Sequence, residues 1–113
     1  MQHTASSFEL IENQNQLDLF FLQNSRCEWL ALDTEFVGEK RFLTRLCLIQ
    51  VSTPLGNYVI DPFGLKHLDP FLELIRDPAI VKITHAGENE YRIFYHQNGA
   101  VPANVFDTQL AAA

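Results

Sequence analysis

Asp33 and Glu35 stand two residues apart in Ala31-Leu32-Asp33-Thr34-Glu35-Phe36, an otherwise largely apolar run. In a strand, alternate side chains leave from the same face. Two acids projecting side by side repel each other unless protons or cations compensate, and a divalent cation held by oxygen is the simplest compensation. Trp29, Leu30, Ala31 and Leu32 before the pair, with Phe36 and Val37 after it, suit a strand buried on both faces. An unpaired carboxylate is costly in such a setting. The pair therefore predicts a polar site at the end of a central strand. The competing reading is the solvent-facing side of an edge strand with Thr34 turned inward. Carboxylates without a neighbouring Cys/His set favour Mg²⁺ or Mn²⁺ over zinc. Two such ions roughly 3.5–4 Å apart can activate water and stabilise the leaving oxygen in phosphodiester cleavage.

Other residues bear on the same chemistry. Lys40, Arg41, Phe42 and Arg45 follow the acidic strand. They read either as an ordinary polar hairpin or as a contact in which the cations meet phosphate and Phe42 stacks on a terminal base. His85 also has two readings, a structural hydrogen bond or an approach to substrate or metal. Glu88 and Glu90 fall on different sides of a predicted helix, where Glu88 suits a first-turn anion. Tyr91 and Tyr95, spaced by four, read as packing residues. Cys27 and Cys47 are isolated and read as small buried hydrophobes. No Ser/His/Asp arrangement stands out, and Gly38 and Gly56 lack Walker or dinucleotide context.

The elements that must position these residues follow from pattern. Phe8 to Ile11 reads as a short strand or extended lead-in. Asn13 caps a predicted helix over Gln14 to Gln23, with Leu17, Phe20 and Phe21 on one side. Trp29 to Val37 and Arg45 to Ser52 are strands, the second with little alternation and so central. Pro54-Leu55-Gly56-Asn57 supplies a turn into a strand over Tyr58 to Asp61. Leu68, Phe71, Leu72 and Ile75 mark a short amphipathic helix stopped by Asp77-Pro78. Ile80 to Thr84 is a strand, Glu88 to Gln97 a helix, and Asn104 to Phe106 a last strand running into Asp107. Asp107 is expected to cap a helix that begins at Thr108. That helix has barely a turn and a half before Ala113, so either this end is frayed or the domain is incomplete at its C-terminus.

At 113 residues, the chain fits one small domain over 1–113. Its 47% hydrophobic content fits an ordered globular body. The net charge of −6 argues against a basic nucleic-acid coat, but not against an enzyme that grips a few phosphates through metals. No run is long enough to span a membrane, and Met1 to Ser7 lacks a signal-peptide pattern. A soluble, cytoplasmic protein is expected.

The acidic run resembles the first exonuclease motif of the DEDD superfamily. Leu48-Ile49-Gln50, Ile60-Asp61-Pro62, His85-Ala86-Gly87 and Phe106-Asp107-Thr108-Gln109 narrow the resemblance to the ribonuclease D family. It implies an α/β, RNase H-like mixed sheet with flanking helices. It also implies metal-dependent removal of nucleotides from RNA 3′ ends, with Mg²⁺ or Mn²⁺ in a two-metal site. Asp33 and Glu35 match the first-motif metal ligands. Phe36, Lys40, Arg41, Phe42, Arg45 and His85 are the expected substrate contacts, and single-stranded nucleic acid the expected partner.

Two departures accompany the resemblance. The family's second motif resembles His-Ala-Gly-x-x-Asp-Leu, whereas this chain has Glu90 at the aspartate position. The added methylene matters because catalytic geometry is sensitive to displacements of around 1 Å. The family's third motif, a tyrosine four residues before a metal-binding aspartate, has no counterpart after Asp107. These departures open a second reading, a non-catalytic nucleic-acid-binding or assembly module, either self-associating or completed by a C-terminal polypeptide. A metal-dependent phosphatase is a third.

Overall fold

The structure is a computed structural model. It describes residues 7–37, 45–85 and 101–108, with the backbone alone at 35–37 and 45–47. The chain begins with strand β1 (Glu9–Ile11), helix α1 (Gln14–Asn24) and strand β2 (Trp29–Val37). Strands β3 (Arg45–Thr53) and β4 (Gly56–Ile60) follow, then a 3₁₀ turn at Pro62–Gly64 and helix α2 (Asp69–Arg76). Strands β5 (Val81–Thr84) and β6 (Val105–Asp107) complete the set. The expected helix over Glu88 to Gln97 lies outside the described residues, as does the continuation of the one beginning at Thr108.

The strands form one mixed sheet in the order β1-β4-β3-β2-β5-β6. β3 pairs antiparallel with β2 and β4, while the β1–β4, β2–β5 and β5–β6 pairs are parallel. β3 alone therefore runs against the other five. The expected antiparallel trio is β2, β3 and β4, extended as anticipated by β5 and β6.

Local chemistry sets the helix ends. At the start of α1, Gln16 N–H donates to Asn13 Oδ1 at 2.9 Å, and Gln16 Oε1 accepts from Asn13 N–H at 3.2 Å. This reciprocal capping box satisfies donors that the first turn leaves orphaned. Helix α2 has Pro70 in its first turn, where no intrahelical N–H is needed, and stops at Asp77 before Pro78. Asp69 and Arg76 sit at the helix ends that suit their charges.

Both helices pack into one apolar cluster with alternate strand residues. Leu17 and Phe20 of α1, and Phe71, Leu72, Leu74 and Ile75 of α2, meet Leu30, Leu32, Ile49, Val51, Tyr58 and Ile60. Phe20 stands edge-on to Tyr58 with ring centroids 4.7 Å apart. Burial alternates along β2 and β3 where side chains are described, so one expectation is corrected. β2 is not buried on both faces among the described residues: Leu30 and Leu32 are buried, Trp29 and Ala31 half-buried, and Asp33 exposed. β3 alternates too, with Ile49 and Val51 buried and Gln50 exposed, yet it lies inside the sheet between β4 and β2, central as expected. The alternation arises because α1 and α2 cover the same face.

Two polar residues buried in this layer, Asn24 and Lys82, are paired. Asn24 Nδ2 donates to Phe20 O at 3.0 Å, while its Oδ1 accepts from Thr53 Oγ1 at 2.7 Å. Lys82 is fully buried on β5 and donates to the carbonyls of Asp77 and, at 2.8 Å, of Ile80. Burial pushes its pKa below the usual lysine range, against the opposing influence of Asp77 and Cys27. The half-buried Cys27 thiol is pushed up by burial, which fits an inert packing role.

Gly64 fixes the sheet edge to the turn after β4. A Cβ at this position would lie 2.1 Å from the backbone oxygen of Glu12. Next to it, Asp61 N–H donates to Ile11 O at 2.8 Å, which ties β1 to β4. No flexible side chain can move aside to relieve that clash. Gly64→Ala is expected to cost about 3 kcal/mol, read as a lowered urea midpoint. An unchanged midpoint would contradict the close approach.

Candidate active site

β2 and β5 run side by side only over Trp29↔Val81, Leu30↔Lys82 and Ala31↔Ile83. Beyond Ala31, β2 continues to Val37 against β3, while β5 continues to Thr84 against β6. The two parallel strands therefore part at their carboxyl ends, and a fork opens between them. Open α/β sheets bind ligands in crevices of this kind. A cleft of about 450 Å³ occupies the fork. Ala31, Leu32 and Asp33 line it from β2, Ile83, Thr84 and His85 from β5 and its exit, and Thr108 from the end of β6.

Asp33 is exposed, which fits a carboxylate presented to a cleft better than one held in the core. Its Oδ1 accepts from Thr34 N–H at 2.9 Å, holding the side chain against its own strand. Asp33 lies opposite Gln50 and Glu35 opposite Leu48, so positions 33 and 35 belong to one unbroken stretch of ladder. The register then shifts: Phe36 lies opposite Leu46, and β3 carries Cys47 as an extra residue. Such bulges re-aim or end pairing and recur beside active sites.

His85 follows β5 directly. Its Nδ1 lies 2.8 Å from Thr108 Oγ1, and Thr108 Oγ1 donates to Thr84 O at 3.2 Å. This bridge joins the carboxyl ends of β5 and β6 across the cleft wall. Asn104, just before β6, sits in the left-handed region at φ 60°, a conformation asparagine tolerates. Its carbonyl accepts from Lys82 N–H at 2.9 Å, and its Nδ2 donates to Pro78 O at 3.0 Å. Asn104 thereby sets the register that brings Thr108 to His85.

Of the expected site residues, the structure brings Asp33 and His85 to one cleft. The side chains of Glu35, Phe36 and Arg45, and all of Lys40, Arg41, Phe42 and Glu90, lie outside the described set. Among the described residues, no three His, Cys, Asp or Glu groups gather in a way that could hold a metal. His85 makes the hydrogen bond of its structural reading and also lines the cleft. Thr84 and Thr108 went unremarked as site residues in the sequence, because a contact spanning 24 residues leaves no local pattern.

A family model described as 3′–5′ exonuclease matches residues 8–113. Ribonuclease D of Bartonella henselae is 34% identical over 106 residues, which cover 93% of this chain and 26% of that protein. Ribonuclease D of Pseudomonas paraeruginosa is 41% identical over 85 residues, covering 75% of this chain and 23% of that protein. The chain thus spans about a quarter of the length of these curated relatives. Its fold is similar to the crystal structure of Escherichia coli RNase D, described as an exoribonuclease involved in structured RNA processing. The TM-score is 0.87 at 32% identity, over 95% of this chain and 28% of that one. The EXO domain of Aedes aegypti Nibbler shares the fold, with a TM-score of 0.82 at 15% identity, over 99% of this chain and 57% of that one. The mixed sheet with flanking helices is therefore the RNase H-like arrangement that the motifs implied. No described helix is long and apolar enough to cross a membrane.

Proposed function

The chain belongs to the DEDD-type 3′–5′ exonucleases of the ribonuclease D family, and on that premise we propose that it removes nucleotides from the 3′ end of single-stranded RNA. The reaction is hydrolysis of the terminal phosphodiester, which releases a nucleoside 5′-monophosphate and leaves a 3′-hydroxyl. The observation that carries this reading is the place of Asp33, an exposed carboxylate at the fork between β2 and β5.

The donor chemistry at that point fits Mg²⁺ or Mn²⁺. Asp33 offers a hard oxygen, and Cys27 is not among the described residues that line the cleft. Asp33, Glu35 and Glu90 would hold the ions. When bound there, such ions neutralise charge on the scissile phosphate and ease deprotonation of water. Lys40, Arg41 and Arg45 would meet backbone phosphates, and Phe36 and Phe42 would support the terminal nucleotide. The Thr34 N–H bond keeps the Asp33 carboxylate oriented.

The test is incubation of the purified protein with 3′-labelled and 5′-labelled single-stranded RNA in Mn²⁺. The expected result is labelled nucleoside 5′-monophosphate from the first substrate and a stepwise ladder from the second. EDTA should stop both. Intact RNA despite measurable binding would overturn the enzyme reading. It would favour the non-catalytic nucleic-acid-binding module, for which the observation is Glu90 at a position where the family has aspartate.

A further inference from the structure

The ladder between β2 and β3 sets Asp33 directly opposite Gln50. Their neighbours Leu32, Thr34, Ile49 and Val51 are buried, so Asp33 and Gln50 project together from the sheet face opposite α1 and α2. Side chains that face each other in an antiparallel pair have Cβ atoms about 4.5–5.5 Å apart. Gln50 is exposed, and its amide makes no hydrogen bond among the described residues. The polar groups around it on that face are already engaged. Ser52 Oγ donates to Asn57 Oδ1 at 2.6 Å, and Asp33 Oδ1 accepts from Thr34 N–H. An amide with two N–H donors therefore stands open beside the carboxylate that is expected to hold metal.

Residue type narrows what this amide can do. A lysine or arginine at position 50 would pair with Asp33 and compete with a cation for it. A second carboxylate would repel both Asp33 and a nucleic-acid backbone. A side-chain amide donates to phosphate oxygen and leaves the charge at Asp33 intact. Position narrows it further. Gln50 lies one strand farther from the fork than Asp33, on β3, which starts at Arg45, one of the cations expected to meet phosphate. We propose that RNA leaves the fork across β3 and that Gln50 Nε2 donates to its second phosphate from the 3′ end. This rests on the reading that the fork takes the 3′ end of a strand. It makes Gln50 a substrate-binding residue outside the lining of the cleft, with no part in holding metal.

The test is a double-mutant cycle read by fluorescence anisotropy of 5′-labelled oligoadenylate, with Ca²⁺ in place of Mn²⁺. One oligonucleotide keeps the natural second phosphate and the other carries an uncharged methylphosphonate there. Both have a 2′-deoxyribose on its 5′ side, which keeps the linkage stable. The methylphosphonate should weaken binding to wild type roughly tenfold, as for a hydrogen bond to a charged group, and binding to Gln50→Leu by less than about twofold. Moved farther up the strand, it should weaken both proteins equally. In Mn²⁺, Gln50→Leu should raise KM with kcat unchanged, because a contact away from the scissile bond serves ground and transition state alike. Gln50 is exposed, so the urea midpoint should stay where it is. Wild-type affinity in Gln50→Leu, an equal penalty in the two proteins at the second phosphate, or a fall in kcat with KM unchanged would each overturn the proposal. Failure of the exonuclease reading would show separately, as intact RNA from wild type in Mn²⁺ with the binding cycle unaltered.

Discussion

Asp33→Asn is expected to lower kcat on single-stranded RNA by about a hundredfold to a thousandfold while leaving the thermal midpoint nearly unchanged. The substitution keeps the shape of the side chain, and its Oδ1 can still accept from Thr34 N–H. What it removes is the carboxylate of the expected metal ligand that lies, among the described residues, in the fork. Asp33 is exposed, so stability should change by no more than about 0.5 kcal/mol. Steady-state kinetics across a Mn²⁺ titration check both halves. Wild-type kcat in the variant would remove Asp33 from the chemistry. A collapse of stability would instead assign it a structural role.

Lys82→Ala is expected to destabilise the fold by about 3–5 kcal/mol. It would empty a fully buried site and strip the carbonyls of Asp77 and Ile80 of their donor. Lys82→Met keeps the apolar stem and loses only the donor, so about 1–3 kcal/mol is expected. The more distinctive readout is pH. Lys82 has a folded-state pKa below its ordinary value of 10.5. Between the two values the unfolded chain holds a proton that the folded chain has released, so stability rises with pH across that window. Its contribution is complete above the unfolded value and is lost as pH falls through the folded one. Cys27, pushed up by burial, gives the opposite slope in the alkaline range. The difference between wild type and Lys82→Met in urea midpoints up to alkaline pH therefore isolates the lysine. Parallel profiles would contradict its burial.

Much of this architecture was legible in residue pattern. Asn13 and the apolar spacing after it marked α1, and Pro54 to Asn57 marked the hairpin between β3 and β4. The acids at 33 and 35 marked the carboxyl end of a central strand. Pattern failed where the outcome depends on what packs across the sheet. The apolar flanks of Asp33 suggested burial on both faces, but α1 and α2 cover the same one, and alternation returns. Within the strand over Ile80 to Thr84, no pattern singled out Lys82. Its burial follows from its pairing with the buried Leu30 and from carbonyls that turn back toward it after α2. The bridge from Thr84 through Thr108 to His85 was invisible for a similar reason. It is made by the register of two parallel strands, which no local spacing encodes.

The central claim is that the fork between β2 and β5 is the metal-dependent hydrolytic site. Substoichiometric Mn²⁺ added to ¹⁵N-labelled protein tests it most directly, because the paramagnetic ion broadens nearby amide resonances. The account predicts broadening centred on Asp33 and reaching Thr84, His85 and Thr108, and its loss in Asp33→Asn. Broadening centred elsewhere, or unchanged in that variant, would contradict it.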